Sequence, residues 1–138
     1  MKALIVYRSR TGITEKFGKE INELLNSQGI ESKVLPVENY SDIAVTEPDI
    51  VFLGCWTAGF MLLFQHPDRE WKKFAQRLPD LKNKKVALFT TYKIATGSMF
   101  KSMRKYLSGK SANIMLELKS KDGKINDGNK KDIIDLIK

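Results

Sequence analysis

The sequence is poor in cysteine and histidine, with one of each in 138 residues. The lone Cys55 cannot form an internal disulfide, which is typical of a protein from the reducing cytoplasm. Together with a single histidine, it leaves too few ligands for a zinc site built by this chain alone. The sequence also lacks any apolar run of about eighteen residues, so we expect no membrane span. Charged residues close behind the first apolar run argue against a signal peptide. These absences predict one cytoplasmic domain over residues 1–138, long enough to bury a substantial core.

Charge is distributed unevenly along the chain. Residues 1–68 carry a net charge of −3, residues 69–110 carry +10 and residues 111–138 carry +1, within an overall +8. A basic segment of this kind indicates solvated helix faces and a partner protein with an acidic docking surface. Nucleic acid is disfavoured as a partner, because no interleaved aromatic residues accompany the lysines to form a stacking platform.

Five short apolar runs alternate with helical patterns. Such runs are typical of strands buried on both faces, and their alternation with helices predicts a parallel sheet covered on both sides. Stripes of apolar residues at helical spacing follow the first, third, fourth and fifth runs. Residues 39–47 are predicted as a loop or short helical turn, and residues 55–64 as a loop. The predicted strands are Lys2–Tyr7, Ser32–Val37, Asp49–Gly54, Lys85–Thr91 and Ala112–Leu118.

The turn after the first strand has the composition of a phosphate-binding loop. It reads Ser9-Arg10-Thr11-Gly12-Ile13-Thr14 and leads directly into a helical pattern. Backbone N–H groups at a helix start are unpaired and the helix dipole is positive there, which favours an anion. Gly12 lets the backbone approach the anion closely, and the hydroxyl residues add donors. The alternative is an ordinary turn capped by Thr11 or Thr14, which would not need three hydroxyls around a glycine.

This turn resembles the (S/T)-x-T-G-x-T phosphate loop of the flavodoxin family, whose cofactor is FMN. The resemblance implies an α/β three-layer sandwich, with a five-stranded parallel sheet of order 2-1-3-4-5 and helices on both faces. In that topology the ligand crevice lies at the carboxyl ends of strands 1 and 3. Response-regulator receivers share the strand order, but they need acidic residues where this chain has Arg8 and Arg10.

The resemblance also implies that two later loops hold the flavin ring. The aromatic Trp56 matches the position of a ring platform, and Tyr92 is placed to stack on the other face. For Trp56 the alternative is a place in the core, and for Tyr92 a place in a surface loop. Lys93 departs from the family pattern, because carboxylates are common there. The implied FMN contacts are Ser9, Arg10, Thr11, Gly12, Ile13 and Thr14, then Trp56, Thr57, Ala58 and Gly59, and finally Thr90, Thr91, Tyr92 and Gly97.

The run Phe60–Phe64 is unusually apolar for a surface loop. Exposed apolar patches mark contacts with another chain or a ligand. Burial in the core, or a homodimer formed through this run, is favoured over a lid above the flavin.

Three functions are compatible with this reading. The first is an FMN electron-transfer protein that docks an acidic redox partner. The second is an FMN-dependent oxidoreductase of the quinone or protoporphyrinogen type, and the third is a flavin-free interaction module. The sequence offers no catalytic residue and no metal ligand set for any of them. Its basic character predicts a less negative flavin reduction potential than that of an acidic flavodoxin, since positive charge stabilises the reduced, anionic flavin.

Overall fold

The computed structural model describes residues 1–41, 45, 47–60 and 63–138. Within these residues the structure has four α-helices and seven strands. The helices are α1 Ile13–Ser27, α2 Arg69–Arg77, α3 Met99–Tyr106 and α4 Asp127–Ile137, and Val37–Asn39 forms a short 3-10 turn. The strands are β1 Lys2–Arg8, β2 Glu31–Pro36, β3 Ile50–Trp56, β4 Ala58–Phe60, β5 Leu63–His66, β6 Lys85–Thr91 and β7 Asn113–Ser120.

Five of the strands form one parallel sheet in the order β2-β1-β3-β6-β7. Numbered among themselves, these strands have the order 2-1-3-4-5, so the predicted fold class is confirmed. The strand β1 lies between β2 and β3, with Ile5 opposite Val34 on one side and Phe52 on the other. Because all five strands run the same way, their carboxyl ends and the loops that follow meet at one edge of the sheet.

Helices cover both faces of the sheet and separate two apolar cores. On one face, Phe17 and Ile21 of α1 pack with Ile133 of α4 against Ile5 and Phe52 of the sheet. Four-residue spacing places Phe17, Ile21 and Leu25 on one side of α1, which is why this helix buries a single stripe.

The second core lies under α2 and α3. Trp71 and Phe74 of α2 and Met103 of α3 pack there against Val51 and Leu88 of the sheet.

Of the helices that the structure describes, none is long and apolar enough to cross a membrane.

The segment predicted as a loop over residues 55–64 is different in the structure. The third strand continues through Cys55 and Trp56, and β4 and β5 then pair as an antiparallel hairpin. Phe64 is 80% exposed, so burial, one of the two alternatives favoured for this run, does not hold at its last residue. Residues 61–62, which also belong to the apolar run, lie outside the described residues.

A bulge in β7 changes which face of the sheet one of its apolar residues meets. Val86 pairs with Ile114 and Ala87 with Leu116, so Met115 is the extra residue between them. As a result Ile114 packs on the α2–α3 side, whereas Leu116 packs on the α1–α4 side. Strict two-residue alternation would place both side chains on one face, and the bulge shifts that period by one residue.

Candidate functional site: a cleft at the carboxyl edge of the sheet

Four loops surround a cleft of about 560 Å³ at the carboxyl edge of the sheet. The three loops predicted from the sequence converge on it, and a fourth, which follows β7, completes it. The predicted residues that line it are Arg10, Thr11, Ile13, Trp56, Thr57, Ala58, Gly59, Thr91 and Tyr92. The predicted residues Ser9, Gly12, Thr14, Thr90 and Gly97 are not part of the lining. Five further residues line it that the sequence reading did not assign, namely Gln65, Lys93, Ile94, Ala95 and Lys121.

The first loop has the backbone geometry of an open turn that leads into a helix. Gly12 occupies the position before α1 with φ 94° and ψ −7°, a left-handed conformation that L-residues adopt only at a cost. The Gly12 amide donates to the Ser9 hydroxyl at 3.0 Å, which closes the turn. Among the described residues, no side chain makes a cap hydrogen bond at this helix start, so the alternative of a cap by Thr11 or Thr14 is wrong. The first amides of α1 therefore have no partner within the helix.

Two pairs of threonine hydroxyls join the first, second and third loops on the side away from the cleft. The Thr14 and Thr91 hydroxyl oxygens lie 2.6 Å apart, and both side chains are buried. The Thr57 and Thr90 hydroxyl oxygens lie 2.8 Å apart, and the Thr90 hydroxyl also donates to the Cys55 carbonyl at 2.7 Å. Thr14 and Thr90 are thus fixed behind the cleft, where they tie the first, second and third loops together.

The carboxylate of Asp68 fixes the indole of Trp56. Its Oδ2 accepts hydrogen bonds from Trp56 Nε1 at 2.8 Å and from Arg8 Nε at 2.7 Å. Its Oδ1 accepts from the Trp71 amide at 3.0 Å, so Asp68 also caps α2. The guanidinium of Arg10 lies 5.1 Å from the centre of the Trp56 ring, within cation–π range. Trp56 is therefore held at the cleft wall by the Asp68 carboxylate and the Arg10 guanidinium.

These contacts hold Asp68 in its charged form. Partial burial of Asp68 acts to raise its pKa, but hydrogen bonds from Arg8, the Trp71 amide and Trp56 outweigh the burial. The net result is a pKa below the ordinary value for an aspartate.

The hairpin of β4 and β5 is held against the third loop. Gln65 is buried, and a Cβ on Gly97, whose φ is 49°, would lie 2.2 Å from its Oε1, so a larger residue there would have to displace the Gln65 amide. The hydroxyl of Ser98 donates to the Gln65 carbonyl at 2.9 Å. Ser98 is the residue before α3, but its side chain makes no cap hydrogen bond and binds the hairpin instead.

The fourth loop, residues 120–124, was missed because its sequence indicates only a turn. The Tyr92 amide donates to the Ser120 carbonyl at 3.3 Å, which joins this loop to the third one. The Ile125 amide donates to Glu20 Oε1 of α1 at 2.9 Å. These contacts bring Lys121 to the cleft. Its position could have been predicted only from the pairing of β7 with β6 in the sheet.

The thiol of Cys55 and a second groove, beside α2, are both separate from this cleft. Cys55 is buried near the end of β3, and burial raises its pKa. A groove of about 610 Å³ beside α2 is lined by charges of both signs, including Glu38, Glu70 and Lys73, with no glycine loop. We therefore treat the cleft at the carboxyl edge as the candidate site.

Comparison with known proteins decides the family. The flavodoxin domain family matches residues 4–129. The chain belongs to the flavodoxin family. A flavodoxin of Megasphaera elsdenii is 32% identical over 93 residues, which cover 67% of this chain and 66%, just under two thirds, of that relative. FMN, predicted from the first loop, is the cofactor of this family.

Solved flavodoxin structures have the same fold. The two-electron reduced Megasphaera elsdenii flavodoxin superposes with a TM-score of 0.80 at 26% identity, covering 95% of this chain and 94% of that one. A flavodoxin from the domain Archaea gives 0.73 at 19% identity, covering 99% and 93%. Oxidised flavodoxin 1 of Bacillus cereus gives 0.74 at 18% identity, covering 99% and 94%.

Within this flavodoxin fold the cleft is cationic. Its charged lining residues are Arg10, Lys93 and Lys121, and no carboxylate is among the described residues that line it. Likewise, no group of side chains suited to hold a metal ion occurs in the described ranges. The cleft is therefore suited to an anionic ligand held by backbone amides, hydroxyls and aromatic rings.

Proposed function

We propose that this chain binds FMN in the cleft and acts as an electron-transfer protein. The observation that carries the proposal is the convergence of a glycine turn at a helix start, an aromatic wall and a third loop on one cleft. Family membership supports the same conclusion, because flavodoxins transfer electrons to redox partners.

The first loop fits the phosphate of FMN. Gly12 keeps the turn open, with nothing within 4 Å of where a Cβ would lie, so a phosphate can approach the backbone. The free first amides of α1, the exposed Thr11 and the cationic Arg10 then supply hydrogen bonds and charge. Ser9, Gly12 and Thr14 act by shaping the loop, since Ser9 and Thr14 are engaged in internal hydrogen bonds.

The second and third loops fit the flavin ring. Trp56 and Tyr92 line the cleft, and Thr57, Ala58, Gly59 and Thr91 offer backbone groups beside them. Thr90 and Gly97 act indirectly, because Thr90 braces the second loop and Gly97 admits Gln65. When bound, FMN supplies the redox chemistry, and these residues hold it, orient it and exclude water.

A carrier is favoured over an FMN-dependent oxidoreductase by the chemistry of the cleft. The described lining holds no histidine or carboxylate that could act as a general acid or base on a substrate. Passing single electrons to a partner needs no such group. The partner that suits the charge of +8 is a redox protein with an acidic surface, and the cytoplasm suits a carrier whose one thiol is buried. The alternative association that we propose is a homodimer through the exposed Phe64 of the hairpin.

Turnover measurements test this proposal against its alternatives. The protein reconstituted with FMN is reduced anaerobically and reoxidised with ferricyanide, and is separately mixed with NADH or NADPH and a quinone. We expect reversible reduction and no quinone turnover above that of free FMN. Turnover far above free FMN would establish the oxidoreductase, and protein that retains no flavin after reconstitution would establish the flavin-free module. Sedimentation at several concentrations tests the homodimer.

A further inference from the structure

The helices α2 and α3 present one strongly basic surface. They lie side by side on the same face of the sheet, with Lys72 Nζ 5.4 Å from the ring of Tyr106. Glu70 is the one acidic residue in the two helices. We call their seven cations the basic face: Arg69, Lys72, Lys73, Arg77, Lys101, Arg104 and Lys105.

Few of these cations are neutralised by neighbouring carboxylates. Lys73 lies 3.8 Å from Glu70, and Arg104 lies 2.8 Å from Glu117. The other five have no carboxylate within 4 Å in the part of the chain that the structure describes. The opposite face differs, because α1 and α4 together carry four lysines and six carboxylates. The molecule therefore has one basic side and one mildly acidic side.

The basic face is continuous with the cleft. Both of its helices begin in loops at the carboxyl edge, and the hairpin residue Gln65 contacts Gly97 just before α3. Two apolar side chains stand out at this end, Phe64 with 80% and Ile94 with 63% of its surface exposed. Exposed apolar side chains bordered by charge are the usual composition of a protein interface.

We propose that the basic face and the adjacent Phe64 and Ile94 form the docking surface for an acidic protein partner. The proposal rests on the electron-transfer function proposed above, since it explains how a partner is oriented towards the cleft. Complementary charge mainly accelerates encounter and fixes orientation, and the apolar pair supplies the buried contact near the cofactor.

The observations favour a protein over other polyanions. A membrane surface would need apolar side chains along the helices, but the large apolar residues exposed in the described chain lie outside α2 and α3. Single-stranded nucleic acid would need exposed aromatic rings, but Tyr106 is covered by Lys72. A second copy of this chain would bring like charges together.

Two charge-reversal variants with the same net charge test the surface. Lys101→Glu with Lys105→Glu alters the basic face, whereas Lys130→Glu with Lys131→Glu alters exposed lysines of α4 on the opposite face. Both lower the net charge from +8 to +4, so any difference between them reports position. Circular dichroism and thermal unfolding confirm that each variant is folded. Phe64→Ser tests the apolar contribution.

The probes are a plant-type ferredoxin as an acidic folded protein, a DNA duplex of about 20 base pairs, and phosphatidylcholine–phosphatidylserine vesicles. Binding is measured by titration calorimetry at an ionic strength of about 0.01 M, where the Debye length is about 30 Å. We expect the basic-face variant to weaken ferredoxin binding about tenfold or more. Adding Phe64→Ser to that variant should weaken binding further. The α4 variant should change binding less than about twofold.

Several outcomes would overturn the proposal. Two concern ferredoxin: no binding to the unaltered protein, or an equal loss of affinity in the two charge-reversal variants. Two concern other polyanions: tighter binding to the duplex than to ferredoxin, or binding to the vesicles. The last is a dimer that the basic-face variant disrupts. The same titrations are made with and without FMN. Failure to bind FMN therefore counts against the proposed function, while failure to bind ferredoxin counts against this surface.

Discussion

At the scale of single residues, Asp68 is the group with the most polar contacts around the cleft. One carboxylate accepts hydrogen bonds from Arg8 at the end of β1, from Trp56 at the end of β3 and from the first turn of α2. Trp71, the other tryptophan, has a buried Nε1 with no hydrogen-bond partner among the described residues. The two indoles are therefore distinguishable reporters of this region.

Asp68→Asn should destabilise the protein without removing the helix cap. Asparagine caps helices as well as aspartate does, but its amide offers only one acceptor oxygen and places donors opposite Arg8 and Trp56. We expect a loss of about 1–3 kcal/mol in the free energy of unfolding near neutral pH, and a shift of the Trp56 indole N–H resonance but not that of Trp71. The control is Asn126→Asp, at the cap of α4, where the side chain accepts only from the Asn129 amide.

The stability difference should depend on pH in a defined direction. Because the folded pKa of Asp68 is lowered, its contribution is present above the unfolded value of about 3.9 and is lost as pH falls through the folded pKa. Denaturant unfolding from neutral to acid pH should therefore show a gap between the two proteins that shrinks below about pH 4. A gap that widens in acid would contradict this assignment.

Gly12→Ala should weaken the binding of the FMN phosphate without affecting the binding of the flavin ring. The new Cβ meets no atom within 4 Å, so the change acts through the left-handed backbone, which costs about 1–2 kcal/mol for an L-residue. We expect weaker FMN binding, about tenfold or more, with little change for riboflavin. Gly109→Ala is a matched control, since it also has positive φ and open space but lies away from the cleft. Equal effects of the two substitutions on FMN binding would refute the role of Gly12.

At the scale of elements, the hairpin of β4 and β5 carries local strain at its exposed end. Phe64 has φ 59°, a conformation that is rare for a bulky residue, while its ring is 80% exposed. Strained, exposed positions persist where the surrounding structure holds them, and here Gln65 and Ser98 anchor the hairpin to α3. The hairpin thus presents an apolar side chain beside the cleft.

Phe64→Asn should stabilise the protein. Asparagine adopts left-handed backbone more readily than other non-glycine residues, and little apolar burial is lost at this position. We expect a gain of about 1 kcal/mol in the free energy of unfolding, measured with denaturant. Phe64→Ala removes the ring but keeps the strain, so it should gain much less. If both variants unfold alike, the backbone at Phe64 is not strained.

Sequence pattern predicted the regular elements better than the loops around them. The five buried strands and the first loop could be read because continuous apolar runs and the Ser9–Thr14 motif are local signals. The β4–β5 hairpin, the bulge at Met115 and the position of Lys121 depend on contacts between distant residues. Such contacts leave no periodic trace in the sequence, so those parts of the site could not be predicted.

At the scale of the whole molecule, positive charge is concentrated around the cleft and on one side of the sheet. The net charge is +8, the cleft is lined by cations, and the basic face lies on one side of the sheet. Negative charge accumulates on a flavin as it is reduced, so nearby cations favour the reduced form. This gives the prediction of a less negative potential a structural basis.

Removing the two lysines of the cleft should lower the reduction potential. A unit charge about 8 Å away at an effective dielectric near 20 corresponds to roughly 90 mV for a one-electron couple, less after solvent screening. We expect Lys93→Gln with Lys121→Gln to make the potential more negative by tens of millivolts, on the order of that estimate. Lys130→Gln with Lys131→Gln on α4 should shift it much less. An unchanged potential in the cleft variant would exclude these lysines as tuning groups.

The most direct test of the account is titration of the FMN-free protein with FMN and with riboflavin, which differ by the phosphate alone. Charge-assisted hydrogen bonds to the first loop predict FMN binding about a hundredfold tighter or more, a difference of roughly 2.7 kcal/mol. Equal affinity for both flavins would show that the Ser9–Thr14 loop does not bind phosphate, and no binding of either would contradict the proposed function.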